Sequence, residues 1–341
     1  MRTAELIAPR EFRLRDGEIA DPGPGEIQVR VGAVGICGSD LHAYGEGAIG
    51  DTPCQYPMVL GHEPAGTVVK TGAGVTGWSA GDRAALEPAL YCYHCEYCRA
   101  GRYNICAKLR FLSNPGDPGF FRERINLPAA SLIALPAQVT LECGALVEPL
   151  AVALHSVRLA GVESDETTVV IGCGPIGLLT IACLKNMGGG RIWGVEPVAH
   201  RREQAVQMGA AVALEPGEAV RQILADTSGR GVDCAFDCAA RDESTNAAIR
   251  AARNGGRVVL TGIHSRPRIE FETSPMRRKE LVFYNVRRSN RESGAALEMI
   301  ARHAEWFEPM VTHRRTLDRI GEAFGIVEHY ADGVGKLMIE P

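Results

Sequence analysis

The chain is expected to be an α/β protein: an irregular β domain, then a doubly wound parallel sheet, then a short return. Three observations predict it. The first 140 residues are rich in Gly and Pro, with short β-like runs between them. From Thr168 onward, strand and helix signals alternate, the pattern of a parallel sheet covered by helices. A Gly-x-Gly-x-x-Gly turn joins the first strand of that alternation to its first helix. The length, 341 residues, suits about two domains at roughly 150 residues each.

Composition removes several classes of function. Hydrophobic residues make up 45% and charged residues 23%, the balance of a globular protein. Thirty-seven Lys and Arg stand against 41 Asp and Glu, for a net charge of -4, so bulk electrostatics do not favour nucleic acid or an anionic membrane. The opening MRTAELIAPR has no apolar h-region and does not read as a secretory signal. The uncharged run from Thr167 to Leu184 is broken by Gly172, Gly174, Pro175 and Gly177, which suits a turn between strand and helix better than a membrane span. A cytoplasmic protein acting on a small molecule is the expectation. Eleven cysteines then argue for ligands and buried thiols, not disulfides.

The elements follow in order. Ile27, Val29 and Val31 alternate with Gln28 and Arg30, a period of two that marks a half-buried strand. Thr67-Val68-Val69 and Arg83-Ala84-Ala85-Leu86 are further strands between glycine turns. From Leu141 the text ECGALVEPLAVALHSVRLAG reads as a long helix whose one breaker is Pro149. Strands are then expected at Thr168–Ile171, Ile192–Glu196, Val232–Asp237, Arg257–Thr261 and Leu281–Val286. Helices are expected at Ile176–Met187, Ala199–Met208 and Glu243–Arg253. After about Ser289 comes the helical AALEMIARHAEWF, and a strand at Lys336–Ile339 closes the chain. The domain limits read from this are 1–152, 153–288 and 289–341, the last returning to the first domain.

Gly172-Cys173-Gly174-Pro175-Ile176-Gly177 follows the apolar strand TTVVI and opens an apolar helix. In that context Gly172 permits the tight turn, Gly174 lets backbone approach a pyrophosphate, and Gly177 lets helix and strand pack closely. The helix N-terminus offers N–H groups to the phosphates. Glu196 falls 19 residues after Gly177, where a carboxylate can accept from a ribose 2′-hydroxyl. The plainer alternative is a glycine-rich turn with a surface Glu.

Cys92, Cys95, Cys98 and Cys106 have the spacing C-x2-C-x2-C-x7-C. Four thiolates so close make a closed tetrahedral site for a structural zinc. An iron–sulfur cluster is the rival, but the run does not continue as Cys-x3-Cys-Pro. Three further donors are scattered: Cys37 in CGSDLH, His62-Glu63 in GHEPAG and Glu148 in LVEPL. Sulfur, imidazole and carboxylate together fit a zinc site that keeps an open position. Periodicity does not bring them together, and alone His62 reads as a core histidine and Glu148 as a surface or capping carboxylate.

CGSDLH, GHEPAGTVV, the four-cysteine run, LVEPLAVALHSV and GCGPIG stand in an order and spacing that resembles the zinc-dependent medium-chain alcohol dehydrogenases, most of all their sorbitol (polyol) and threonine 3-dehydrogenase branch. The resemblance covers essentially the whole chain. It implies a GroES-like catalytic domain and a Rossmann domain with the active-site cleft between them. Cys37 and His62, with Glu63 or Glu148, are implied to hold a catalytic zinc. Glu148 stands where the alcohol dehydrogenases proper carry a cysteine. Ser39 and His42 match the family's proton relay, and Asp40 between them caps a short helix. Glu196 and Arg201 match adenosine-ribose contacts. Thr261, Gly262, Ile263, Val286 and Arg287 match backbone segments near the nicotinamide.

Two departures bear on substrate. Sorbitol-type enzymes carry an Arg-Tyr pair at the substrate end of the cleft, and the aligned pair here is Arg288-Ser289. The residue after His42 is Ala43, where those enzymes often place an aromatic. The expected activity is therefore oxidation of a secondary alcohol or polyol to a ketone, with two zinc ions per chain and NAD. The resemblance implies that zinc would acidify the hydroxyl and nicotinamide would take the hydride, with the proton leaving through Ser39, the nicotinamide ribose and His42. Rival expectations are a threonine 3-dehydrogenase-like amino-alcohol oxidoreductase and a non-catalytic NAD(P)H-binding protein on the same fold. The family implies a homo-oligomer, dimer or tetramer. Cys54, Cys143, Cys173, Cys183, Cys234 and Cys238 read as buried small hydrophobes.

Overall fold

The alternation at Ile27, Val29 and Val31 buries all three on the middle strand of the first unit, Glu26–Gly35. The computed structural model describes residues 1–341 and divides into two units, Met1–Glu148 with Ser293–Pro341, and Pro149–Glu292. In the first unit a seven-stranded sheet runs Leu132–Ala134, Arg83–Leu86, Glu63–Thr71, Glu26–Gly35, Lys336–Glu340, Val311–Thr316, with Arg124–Pro128 also paired to Glu26–Gly35. Its core gathers Leu6, Val34, Leu60, Phe120, Phe121 and Phe324. The C-terminal strand Lys336–Glu340 is antiparallel to Glu26–Gly35, so the end of the chain completes the sheet its beginning started.

The second unit holds six parallel strands in the order Val212–Leu214, Ile192–Val195, Thr168–Ile171, Val232–Asp237, Ala252–Leu260, Val282–Asn285. The order reverses between Thr168–Ile171 and Val232–Asp237, and ligands of such sheets sit beyond the strand carboxyl ends at that switch. Its central strands, Ile192–Val195, Thr168–Ile171 and Val232–Asp237, are buried on both faces, so they read as apolar runs without alternation.

Several expectations need adjusting. The helix from Leu141 is two helices, Leu141–Ala145 and Val147–Leu159, divided at Leu146 and not at Pro149. Proline in the first turn of a helix forfeits no intrahelical bond, because that N–H has no acceptor there. The strand expected from Arg257 begins at Ala252, with a register shift opposite Val232 to Cys234 that accommodates Arg253–Gly256. Strand Val212–Leu214 and helix Pro216–Asp226 lie between segments that sequence reading had identified. Cys143, Cys173, Cys183 and Cys234 are buried, whereas Cys54 and Cys238 are half-buried. No helix is long and apolar enough to cross a membrane.

Candidate active site and cofactor turn

Two segments of the first unit bring Cys37, His62 and Glu63 together. Cys37 ends the loop after Glu26–Gly35 and caps helix Gly38–Glu46. His62 and Glu63 arrive at the start of strand Glu63–Thr71. One donor atom from each lies within 4.8 Å of the other two. Glu148, in the first turn of Val147–Leu159, is half-buried and is not a member of that trio. Between the two glutamates offered by the sequence, geometry selects Glu63 as the carboxylate beside Cys37 and His62.

Asp40 organises this group. It is 1% exposed and does cap the helix, its Oδ2 accepting the Cys37 N–H at 3.0 Å. Its Oδ1 accepts from Gly61 N–H at 3.2 Å and Ser113 Oγ–H at 3.3 Å, and lies 3.3 Å from His62 Nδ1. A carboxylate behind one ring nitrogen orients the other toward a metal. Burial opposes charge on both residues, yet the pairing wins: the His62 imidazolium is favoured well above its usual range by Asp40 and Cys37, and the Asp40 carboxyl is held down by His62.

Ser39 Oγ lies 3.5 Å from Cys37 Sγ and 3.5 Å from His62 Nε2. His42, on the same helix, has Nδ1 3.1 Å from Glu46 Oε1. Sequence reading missed Lys336. Its ammonium is 2% exposed, pairs with Glu63 Oε2, and donates to Ile36 O at 2.9 Å. The one signal available was a lysine opening the apolar strand KLMIE. Soft and hard donors converge here at short range in a buried pocket of charge, which fits zinc.

The four cysteines form a second donor group. Cys92 Sγ stands 3.5 Å from Cys106 Sγ and 3.9 Å from Cys98 Sγ, and Cys95 Sγ stands 3.9 Å from Cys106 Sγ. Backbone N–H groups of Cys92, Cys95, Cys98 and Lys108 point at the sulfurs at 3.4–3.5 Å. The N–H groups of Cys98 and Ala107 bring the Cys95 thiol down to about 6, while burial pushes Cys98 up to about 12. Donors aimed at sulfur favour thiolates, which a closed zinc site requires.

In the second unit the cofactor candidates line up along the carboxyl edge of the parallel sheet. Gly172 follows Thr168–Ile171 with φ +88°, a conformation that glycine adopts without strain. A Cβ on Gly177 would strike the Gly172 carbonyl. One on Gly174 would meet only Arg201 Nη1, at 3.8 Å, so backbone there is open to an incoming group. Glu196 follows Ile192–Val195; its Oε2 accepts the Cys173 N–H at 2.9 Å and its Oε1 accepts the Val198 N–H at 3.0 Å. Arg201 is buried, and Ile176 lies in the first turn of helix Pro175–Asn186. Arg202 is committed elsewhere, donating to the Glu196 and Pro197 carbonyls and to Glu215 at 2.7–2.9 Å. Thr261 and Gly262 N–H groups both donate to Asp237 O at 3.0 Å, and Ile263 is exposed. Val286 N–H donates to Leu260 O. Arg287 is exposed and Arg288 half-buried, the latter at φ +52°. Neighbouring strands thus deliver these segments to one edge, as dinucleotide binding requires.

Comparison with known proteins gives the family. Residues 23–137 match the alcohol dehydrogenase GroES-like domain and residues 175–302 the zinc-binding dehydrogenase domain. Human sorbitol dehydrogenase is 36% identical over 341 residues, covering 97% of this chain and 93% of its own. The chain belongs to the zinc-dependent medium-chain alcohol dehydrogenase family. Within this family it stands on the sorbitol (polyol) and threonine 3-dehydrogenase branch, and it is a dehydrogenase of polyols or secondary alcohols. Such a dehydrogenase acts on CH–OH with a nicotinamide acceptor. Solved relatives share the fold of this dehydrogenase throughout. The 2R,3R-butanediol dehydrogenase of Bacillus subtilis superimposes with a TM-score of 0.88 at 30% identity, covering 100% and 99% of the two chains. A zinc-binding dehydrogenase of Sinorhizobium meliloti 1021 bound to NADP gives 0.89 at 28% identity over 100% and 99%.

Proposed function

We propose that this dehydrogenase oxidises a polyol or related secondary alcohol with NAD as acceptor, using one zinc ion held by Cys37, His62 and Glu63 and a second, structural one held by the four cysteines. The observation that carries the reading is the convergence of Cys37, His62 and Glu63 to within 4.8 Å, a three-ligand set that leaves a zinc position for an oxygen of the substrate. When bound, zinc lowers the pKa of a coordinated hydroxyl and NAD accepts a hydride. Glu148 lies outside the trio and is assigned to the surroundings of the site, on the resemblance alone.

The chain's own residues supply orientation and a proton path. Asp40 fixes the His62 ring, and Ser39 Oγ, beside two of the three donors, is placed to hold the departing proton. His42 continues the path on the same helix. On the cofactor side, Gly172, Gly174, Ile176 and Gly177 are assigned to the pyrophosphate, Glu196 and Arg201 to the adenosine ribose, and Thr261 to Ile263 with Val286 and Arg287 to the nicotinamide. Arg288 is assigned to the far end of the substrate. The Glu196 carboxylate would meet a 2′-phosphate with like charge, and Arg202 is occupied, so NAD is favoured over NADP. A homo-oligomer in the cytoplasm is proposed on the family likeness.

A panel of polyols, simple secondary alcohols and L-threonine, followed by NADH absorbance, tests the reading. Turnover is expected with a polyol or vicinal diol. L-Threonine as the preferred substrate would replace it with the amino-alcohol reading, and no turnover by zinc-replete protein would favour a non-catalytic role.

A further inference from the structure

Lys336 is the least expected member of the metal-site neighbourhood. It comes from the last strand, Lys336–Glu340, and reaches Glu63, on strand Glu63–Thr71, across the strand that separates them. That middle strand ends in Gly35, which pairs with Glu63 on one side and with Met338 on the other. A Cβ at Gly35 would sit 2.7 Å from Lys336 Cε and closer still to the Glu63 carboxylate. Glycine there opens the passage through which the two side chains meet. Both are nearly inaccessible, at 2% and 1% exposure.

A buried ammonium is costly unless it is paired, and Lys336 lies where a metal ligand supplies the partner. The Glu63 carboxylate supplies that partner, and the Ile36 carbonyl accepts a hydrogen bond from the same ammonium at 2.9 Å. Taking Cys37 as thiolate, Asp40 and Glu63 as carboxylates and His62 as the neutral imidazole that a metal requires, the group carries three negative charges and Lys336 one positive. A divalent cation brings the total to zero. Without that cation, Lys336 is the counter-ion that Glu63 has left. The same carboxylate therefore serves two cations in competition.

We infer that Lys336 is a positioning residue that holds Glu63 in competition with the metal, so that Glu63 is a weakened, exchangeable ligand and the stripped site stays assembled. The inference rests on the reading of Cys37, His62 and Glu63 as a zinc site. Coupling of this kind is reciprocal: whatever Lys336 contributes to the empty site, it subtracts from the affinity for metal.

The test is zinc affinity, measured by competition with a chromogenic chelator in the full-length protein, together with melting temperatures of loaded and stripped samples. The Cys37-dependent zinc is identified as the equivalent lost in Cys37→Ser. Lys336→Met should bind that equivalent about tenfold more tightly or better, the equivalent of 1.4 kcal/mol, and should widen the gap between loaded and stripped melting temperatures. Lys336→Arg should stay near wild type in both. In a Glu63→Gln background, Lys336→Met should change affinity by less than about threefold, because coupling through the carboxylate has gone. Unchanged or weaker binding in Lys336→Met, or an equal gain in the Glu63→Gln background, would overturn the inference. If stripped Lys336→Met does not fold, zinc release from loaded Lys336→Gln into excess chelator decides: slower release than wild type supports the competition, and equal or faster release overturns it. Wild-type protein lacking any Cys37-dependent zinc would remove the metal-site reading itself, and this inference with it.

Discussion

Glu196 receives the backbone N–H of Cys173 at 2.9 Å, so the carboxylate at the end of the second strand is tied to the middle of the glycine turn after the first. Its other oxygen takes the Val198 N–H. The acidic group is thus anchored by backbone on both oxygens, and on the proposed reading of the turn it faces the ribose 2′-position.

The first prediction is cofactor preference. NAD should exceed NADP in kcat/KM, and Glu196→Ser should narrow the ratio by about tenfold to a hundredfold, since like-charge juxtaposition costs several kcal/mol. Arg202→Ala should leave the ratio nearly unchanged, because that guanidinium already serves two carbonyls and Glu215. A wild-type preference for NADP would mean that the Glu196 carboxylate does not decide the choice.

The second prediction separates the two donor groups. Metal analysis should find two zinc ions per chain. Cys98→Ser should lower stability, by removing a closed site whose metal contributes directly to folding. Cys37→Ser should abolish turnover in a protein that still melts cooperatively. A single zinc, or an iron–sulfur absorption band, contradicts the assignment.

Asp40 carries the third. Asp40→Asn keeps the shape but only one of the two acceptor oxygens, so either the Cys37 or the Gly61 N–H loses its partner, and it removes the charge behind His62. Zinc affinity at the Cys37 site should fall about 10- to 100-fold, the usual cost of losing an orienting partner. Wild-type affinity in a chelator titration would reduce Asp40 to a helix cap.

A fourth concerns acid stability of the second unit. Asp233 accepts Arg230 and Arg253 at 2.6 Å and the Thr167 hydroxyl at 2.7 Å. Burial would raise its carboxyl, but these partners hold it far below the usual range. Its contribution is therefore present above the unfolded pKa of about 4 and is lost as pH falls from there toward the depressed folded value. Asp233→Asn should destabilise by about 1–3 kcal/mol at neutral pH, and the deficit should shrink in denaturant titrations at lower pH. A deficit independent of pH would assign the effect to packing.

The glycine turn, the four-cysteine run and most strands of the parallel sheet were legible because each is local: residues a few positions apart dictate the geometry. Strand Val212–Leu214 was not, since its three half-buried residues carry too little pattern to distinguish a strand from a connection. The helix break at Leu146 was hidden for a related reason, because Pro149 is the stronger visual signal yet occupies a position where it costs nothing. In the metal site the motifs named Cys37 and His62 but left Glu63 and Glu148 equivalent. Only folding distinguishes them, by delivering Glu63 on the strand beside Cys37. Lys336 was invisible as a site residue: its meeting with Glu63 depends on register across three strands and on a missing Cβ at Gly35.

The last prediction concerns the proton. An alcohol oxidised at a buried metal must pass its hydroxyl proton outward, and helix Gly38–Glu46 offers a route. Ser39 Oγ, 3.5 Å from both Cys37 Sγ and His62 Nε2, is within reach of an oxygen bound among those donors. His42 lies three residues on, close to one helical turn, on the same helix. The plainer alternative leaves Ser39 as a first-turn residue of the helix and His42 as half of a surface pair with Glu46, and then replacing them changes little. If the route operates, Ser39→Ala should lower kcat/KM by about 10²- to 10⁴-fold, the span for positioned acid–base groups. His42→Gln should lose less, because water substitutes for a terminal member, and its rate should respond to added buffer where wild type does not. Glu46→Gln, which removes only the partner of His42, should keep the Ser39 step and lose no more activity than His42→Gln does. Zinc content and NAD affinity should match wild type in all three. Near-normal oxidation by Ser39→Ala and His42→Gln between about pH 6 and 9 would leave the helix without this role, and the proton would have to depart by way of Glu63 or solvent.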